Sequence, residues 1–177
     1  MTSMLGRRHR SQAGYTLIEL VIATALGVVV MGALTSVVLT GVVAANSATS
    51  RVEASAQIRN FELTAYDDFA FSHAPSPGGC SYSSPCTTQP LVLQGVTQPS
   101  GLSAPPTRTV SYVWDAGQQA VTRQAPAGNR TVARNVTRFG WYVEDRTVVV
   151  RLTVKVSFYN TSNAQSQTLR FYPRLTP

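Results

Sequence analysis

Gly14-Tyr15-Thr16-Leu17-Ile18-Glu19-Leu20-Val21-Ile22-Ala23 sets the course of the N-terminal part of the chain. It leads into a run from Leu20 to Ala45 that contains no charged residue and no proline. A run of this length spans the ~30 Å hydrocarbon core of a bilayer, which takes about 20 apolar residues. Arg7, Arg8 and Arg10 precede it, with no acid among residues 1–14. Basic flanks stay on the cytoplasmic side, so the chain beyond Ala45 is expected to face outward. A secretory signal has a shorter apolar core, about 7–15 residues, and its small-residue cleavage site follows that core. Here Ala13 and Gly14 come before the apolar run, and a cut there leaves the hydrophobic helix on the mature chain.

Glu19 stands at the start of this segment. A carboxylate in an apolar helix is unfavourable, by about 2.5–3.5 kcal/mol at the bilayer centre and less near the interface. It therefore either sits at headgroup level or has a partner.

Residues Gly14 to Ala23 resemble the leader of type IV pilins and pseudopilins. In that family a membrane aspartyl peptidase, the prepilin peptidase, cuts after the glycine and methylates the new N-terminal amine. The resemblance implies cleavage between Gly14 and Tyr15 and N-methylation of Tyr15. It also implies that Glu19 pairs with the N-terminal amine of a neighbouring subunit and sets the stagger of a filament. The implied partners are the peptidase, other pilin or pseudopilin subunits and the membrane. Two features depart from the family. Tyr15 replaces the usual phenylalanine, and the helix-kinking proline of many major pilins is missing from the apolar run.

Residues 44–71 also lack proline and glycine. Val52, Ala56, Ile58, Phe61 and Leu63 fall near helical spacing, so the helix is expected to continue outward and become amphipathic. From Tyr15 to Asp68 it would measure about 80 Å at ~1.5 Å per residue. Its outer half must bury one face. Pro75-Ser76-Pro77-Gly78-Gly79 ends it.

Beyond that breaker the period changes to two. In Thr147–Tyr159, Val148, Val150, Leu152, Val154, Val156 and Phe158 alternate with Arg151, Thr153, Lys155 and Ser157. One face buried and one wet is the pattern of an antiparallel sheet on a helix. Val110–Asp115, Ala120–Gln124, Val136–Val143 and Gln167–Tyr172 are its candidate neighbours, with turns at Asp115–Gln118 and Glu144–Arg146. Leu91–Val96 reads either as a short strand or as part of a variable loop. The expected organisation is a leader at 1–14, a transmembrane helix at 15–45 and an amphipathic extension at 46–71. A Pro/Gly/Ser-rich loop region at 72–108 and a sheet head at 109–177 follow. The fold class is α+β and pilin-like.

Cys80 and Cys86 lie in the loop region, outside the membrane by the orientation above. That location favours oxidation, and a disulfide is expected between them. For so short a loop the chain-entropy gain is at the low end of about 2–4 kcal/mol. The two histidines are His9 and His73, the latter expected as a solvated loop residue. With no clustered histidines or acids, a metal site, a cofactor site or a catalytic triad has no material. The chain reads as a non-enzyme.

Net charge is +7, unevenly spread. Residues 15–68 carry −3, while residues 69–177 carry +7 and include Arg123, Arg130, Arg134, Arg138, Arg151, Lys155, Arg170 and Arg174. A basic surface of this kind attracts nucleic acid, which makes DNA a further candidate partner. Val110–Gln124 and Val132–Phe139 also resemble, more loosely, PilW-type minor pilins and the J-type pseudopilins of type II secretion. The expected function is thus a minor pilin or pseudopilin acting in filament initiation, single-pass in the cytoplasmic membrane. The alternatives are a DNA-contacting minor pilin of a competence pilus and a plain signal-anchored ectodomain.

Overall fold

A computed structural model describes residues 15–75, 78–96, 107–159 and 161–174. Among the described residues one helix and seven strands follow in order: α1 Leu17–Ala70, β1 Leu91–Val96, β2 Thr107–Asp115, β3 Ala120–Ala125, β4 Gly128–Ala133, β5 Val136–Glu144, β6 Thr147–Phe158 and β7 Thr161–Phe171. The chain divides between Val43 and Ala44 into two compact units.

The first unit holds the apolar part of α1, long and apolar enough to cross a membrane. Its threonines turn their hydroxyls back on the helix. Thr24 Oγ1 donates to Val21 O at 2.9 Å, Thr35 Oγ1 to Met31 O at 2.8 Å and Thr40 Oγ1 to Ser36 O at 2.9 Å. Such back-bonding satisfies polar groups inside an apolar segment without an outside partner.

In the second unit the rest of α1 packs on two antiparallel sheets, ordered β1-β2-β3-β4 and β5-β6-β7. The sequence pattern led to one sheet, and the division follows from where the chain turns. After β4, Asn135 adopts a φ of 58°. Its neighbour Val136 donates its N–H to Gln119 O at 2.8 Å, and Asn135 O accepts from Lys155 N at 2.8 Å. Trp114 Nε1 donates to Val136 O at 3.1 Å across the same seam. β4 pairs with β3 from Ala125↔Gly128 to Val121↔Ala133 and was not anticipated from the sequence.

The helix buries Ser50, Ala54, Ile58, Phe61, Ala65, Asp68 and Phe69. This stripe is rotated from the expected one. Val52, Ala56 and Leu63 are exposed, while Ile58 and Phe61 lie inside. Small side chains at Ser50, Ala54 and Ala65 let the backbone approach the sheets, which an apolar count does not register. Two phenylalanines join the layers. Phe61 meets Tyr112 of the first sheet edge-on at 5.5 Å and Phe139 of the second at 6.1 Å. Phe69 stacks on Phe171 at 4.2 Å between ring centroids and on Tyr112 at 6.3 Å.

β6 keeps Val148, Val150, Leu152, Val154 and Val156 inside as expected, but Phe158 is exposed and Val149 on the opposite face is fully buried. The loop carrying the cysteines covers that opposite face. Tyr82 meets Tyr142 edge-on at 6.0 Å, and the Arg151 guanidinium lies 4.4 Å above the Tyr82 ring. Leu91–Val96 is a strand. It pairs with β2, and Ser72 at the end of the helix bridges to its Gly95.

Candidate functional site: the helix start and its anchorage to the head

At the N-terminal end, Tyr15 is exposed and α1 begins at Leu17. Gly14 lies outside the described residues. Thr16 and Glu19 form a reciprocal pair. Glu19 N donates to Thr16 Oγ1 at 3.3 Å, while Glu19 Oε2 accepts from Thr16 N at 3.0 Å and from Thr16 Oγ1 at 3.1 Å. This is a capping box, in which residues three apart satisfy the backbone donors that a helix start leaves unpaired. The negative charge also lies at the positive end of the helix dipole. The spacing Thr16-x-x-Glu19 carries this signal in the sequence, where the acid was weighed only as a membrane residue.

At the other end of α1 sits a group the sequence did not reveal. Asp68 is 4% exposed. Its Oδ2 accepts from Arg123 Nε at 2.6 Å and from the Tyr112 hydroxyl at 2.6 Å, and its Oδ1 accepts from Arg123 Nη2 at 2.8 Å. Arg108 Nη2 lies 3.3 Å from Oδ1. One helical carboxylate is thus tied to a bidentate guanidinium on β3 and to two residues of β2. Burial pushes the Tyr112 hydroxyl well above its ordinary pKa of 10.0, and the adjacent Asp68 charge and hydrogen bond push it further. The hydrogen bonds that Arg123 donates to Asp68, with the Asp68 charge, hold its guanidinium still more firmly protonated, against the opposing effect of burial.

Cys80 and Cys86 are joined, with Cα atoms 5.2 Å apart. The loop they close is fastened to the outer edge of β5. Cys86 N donates to Trp141 O at 2.9 Å, Trp141 N to Cys86 O at 3.0 Å, and Trp141 Nε1 to Gln89 O at 3.0 Å. A strand edge that would otherwise be open is thereby covered. His73 is half-buried rather than solvated. Its N–H donates to Gln94 O at 2.8 Å, and its Nδ1 is buried without a hydrogen-bond partner among the described residues. Among those residues no cluster of three or more His, Cys, Asp or Glu could hold a metal ion.

Of the basic residues weighed as a DNA surface, several are engaged within the head. Arg123 holds Asp68, Arg151 lies over Tyr82, and Arg170 Nη1 is 3.2 Å from Glu144 Oε2. The last pair is exposed and contributes about 0–1 kcal/mol.

Residues 9–35 match a family model described as the prokaryotic N-terminal methylation motif. The match supports the type IV pilin and pseudopilin class. It spans Gly14, Tyr15 and Glu19 and the first part of α1, and it supports processing by a prepilin peptidase. With the apolar helix it supports a membrane-anchored, single-pass protein. Neither a curated protein nor a solved structure matches the chain.

Proposed function

We propose that this chain is a minor pilin or pseudopilin, a structural subunit of a type IV pilus-like or type II secretion filament. Prepilin peptidase cuts between Gly14 and Tyr15 and methylates the Tyr15 amine. The mature helix remains in the cytoplasmic membrane with the head outside. Glu19 then meets the N-terminal amine of a neighbouring subunit and fixes their axial offset. The minor-subunit part of the reading rests on the looser resemblance of Val110–Gln124 and Val132–Phe139 to minor pilins and pseudopilins, and a role in starting the filament is proposed with it. The observation that carries the reading is the methylation-motif match over residues 9–35, set at the start of an apolar helix with a capped Glu19.

Mass analysis of the mature N-terminus tests it. The native chain is expected to begin at an N-methylated Tyr15, and Gly14→Ala is expected to stay full length. Glu19→Ala is expected to insert in the membrane and be cut, yet to fail in assembly. A native chain that keeps Met1 would identify a plain signal-anchored ectodomain instead, and a Gly14→Ala chain that still matures to Tyr15 would refute the cleavage site.

A further inference from the structure

The β6–β7 hairpin ends in Phe158 and Tyr159, which neither processing nor Glu19 pairing uses. Phe158 is 43% exposed and Tyr159 85%. Their rings meet edge-on with centroids 5.2 Å apart, so they form one apolar knob. Tyr159 has a φ of 50°, in the left-handed region that a bulky side chain rarely adopts and glycine takes at ease. Thr161 Oγ1 donates to Phe158 O at 2.8 Å and closes the turn. Backbone held this way concentrates where a side chain has a job.

Hydrogen bonds to the helix locate the knob within the head. Ser55 Oγ donates to Gln165 Oε1 at 2.7 Å. Two residues nearer the tip, Asn163 Nδ2 donates to Ser47 O and Ser47 Oγ, each at 3.3 Å, and to Ser50 Oγ. The strand thus runs toward its tip as the helix runs toward its start. The turn lies a further ~10 Å beyond Asn163 at about 3.3 Å per residue. This brings Phe158 and Tyr159 to the Ala44 end of the head, where the polar residues Asn46 and Ser47 give way to the uncharged run ending at Ala45. Lys155 on the hairpin and Arg51 beside Ser50 are both exposed near the same end.

We propose that the Phe158-Tyr159 tip is a second membrane contact, seated in the lipid interface of the outward leaflet while the subunit resides in the bilayer. Tyrosine concentrates at this depth because its ring is apolar and its hydroxyl stays wet. The exposed Lys155 and Arg51 place positive charge where lipid phosphates would lie. Chain continuity selects lipid as the occupant, because the domain end that carries the tip is the end from which the chain passes into its apolar run.

The inference rests on the membrane-anchored reading, and the test separates the two. The full chain is reconstituted in phosphatidylcholine–phosphatidylglycerol vesicles as Tyr159→Trp and, to mark the span, as Val37→Trp. Each is compared with the parent chain, whose Trp114 and Trp141 lie in the head. Brominated acyl chains then replace the ordinary ones as short-range quenchers. The added emission is expected to fall about twofold or more in both variants, as for interfacial and buried aromatics. Quenching of Val37→Trp without quenching of Tyr159→Trp overturns the proposal and leaves the span standing. Loss of both overturns the span and the proposal with it. Blue-shifted Tyr159→Trp emission without quenching also overturns it and assigns the tip to another copy of the chain.

Discussion

Asp68→Ala removes the carboxylate that joins the end of the helix to β2 and β3. Arg123 and Arg108 then keep their charges, and the Tyr112 hydroxyl loses its acceptor in a closed core. Breaking a buried ion pair from one side costs about 3–5 kcal/mol. The two arginine side chains retain 20% and 27% exposure, so water relieves part of the cost. The lower end, about 3 kcal/mol, is the expected loss, a large share of a typical ~5–15 kcal/mol stability. Asp68→Asn keeps the shape and an acceptor for Tyr112 but not the charge, and should lose about 2 kcal/mol. Asp68→Ala combined with Arg123→Met should recover part of the loss, because one stranded cation goes with it. The assay is urea unfolding of the micelle-bound full chain by tryptophan emission. Both tryptophans lie in the head, so the signal reports on that unit alone. A loss under about 1 kcal/mol for Asp68→Ala would show that the buried cluster does not hold the helix end. The cluster would then behave as a surface salt bridge, with Phe61 and Phe69 holding the helix unaided.

Two further outcomes are expected. A Cβ on Gly95 would overlap the Phe71 carbonyl, so Gly95→Ala should cost about 1–3 kcal/mol. It should also speed hydrogen exchange at the His73 amide, which is bonded to Gln94 O. Tyr112 has a folded pKa raised above its ordinary 10.0, so it stays neutral in the fold while the unfolded chain ionises. Its contribution is therefore complete below pH 10 and is lost as the pH rises further, at up to about 1.4 kcal/mol per pH unit. Tyr112→Phe should flatten that alkaline decline while lowering stability at neutral pH, as read from melting curves between pH 8 and about 11.

The leader, the apolar run and the long strand of the head were legible because each depends on local order. Charge position and period two survive any arrangement of the rest. So did the two hairpin turns: Asp115 Oδ1 accepts from Gln118 N at 2.9 Å, and Asp145-Arg146 joins β5 to β6. β4 was illegible because Gly128-Asn129-Arg130-Thr131-Val132-Ala133 has no alternation, and its form comes from pairing with β3. The buried stripe of the helix was misjudged because close approach selects serine and alanine over bulk. Asp68 was hidden by the opposite effect. A carboxylate beside Asp67 reads as a wet face until Arg123, 55 residues later, is brought onto it. Val149 is buried on the face that carries Arg151 and Thr153, and nothing local says that the loop closed by Cys80 and Cys86 returns over that sheet. At the helix start the Thr16-x-x-Glu19 spacing was present in the sequence but the cap it makes went unread, and the Asp68 cluster of the head had no local signal at all.

The capping box at Thr16 and Glu19 leaves one carboxylate with two claimants, because it already serves the first turn of its own helix. On the assembly proposed above, a neighbour's amine would draw Glu19 away from Thr16, and the first turn would give up its cap as the pair forms.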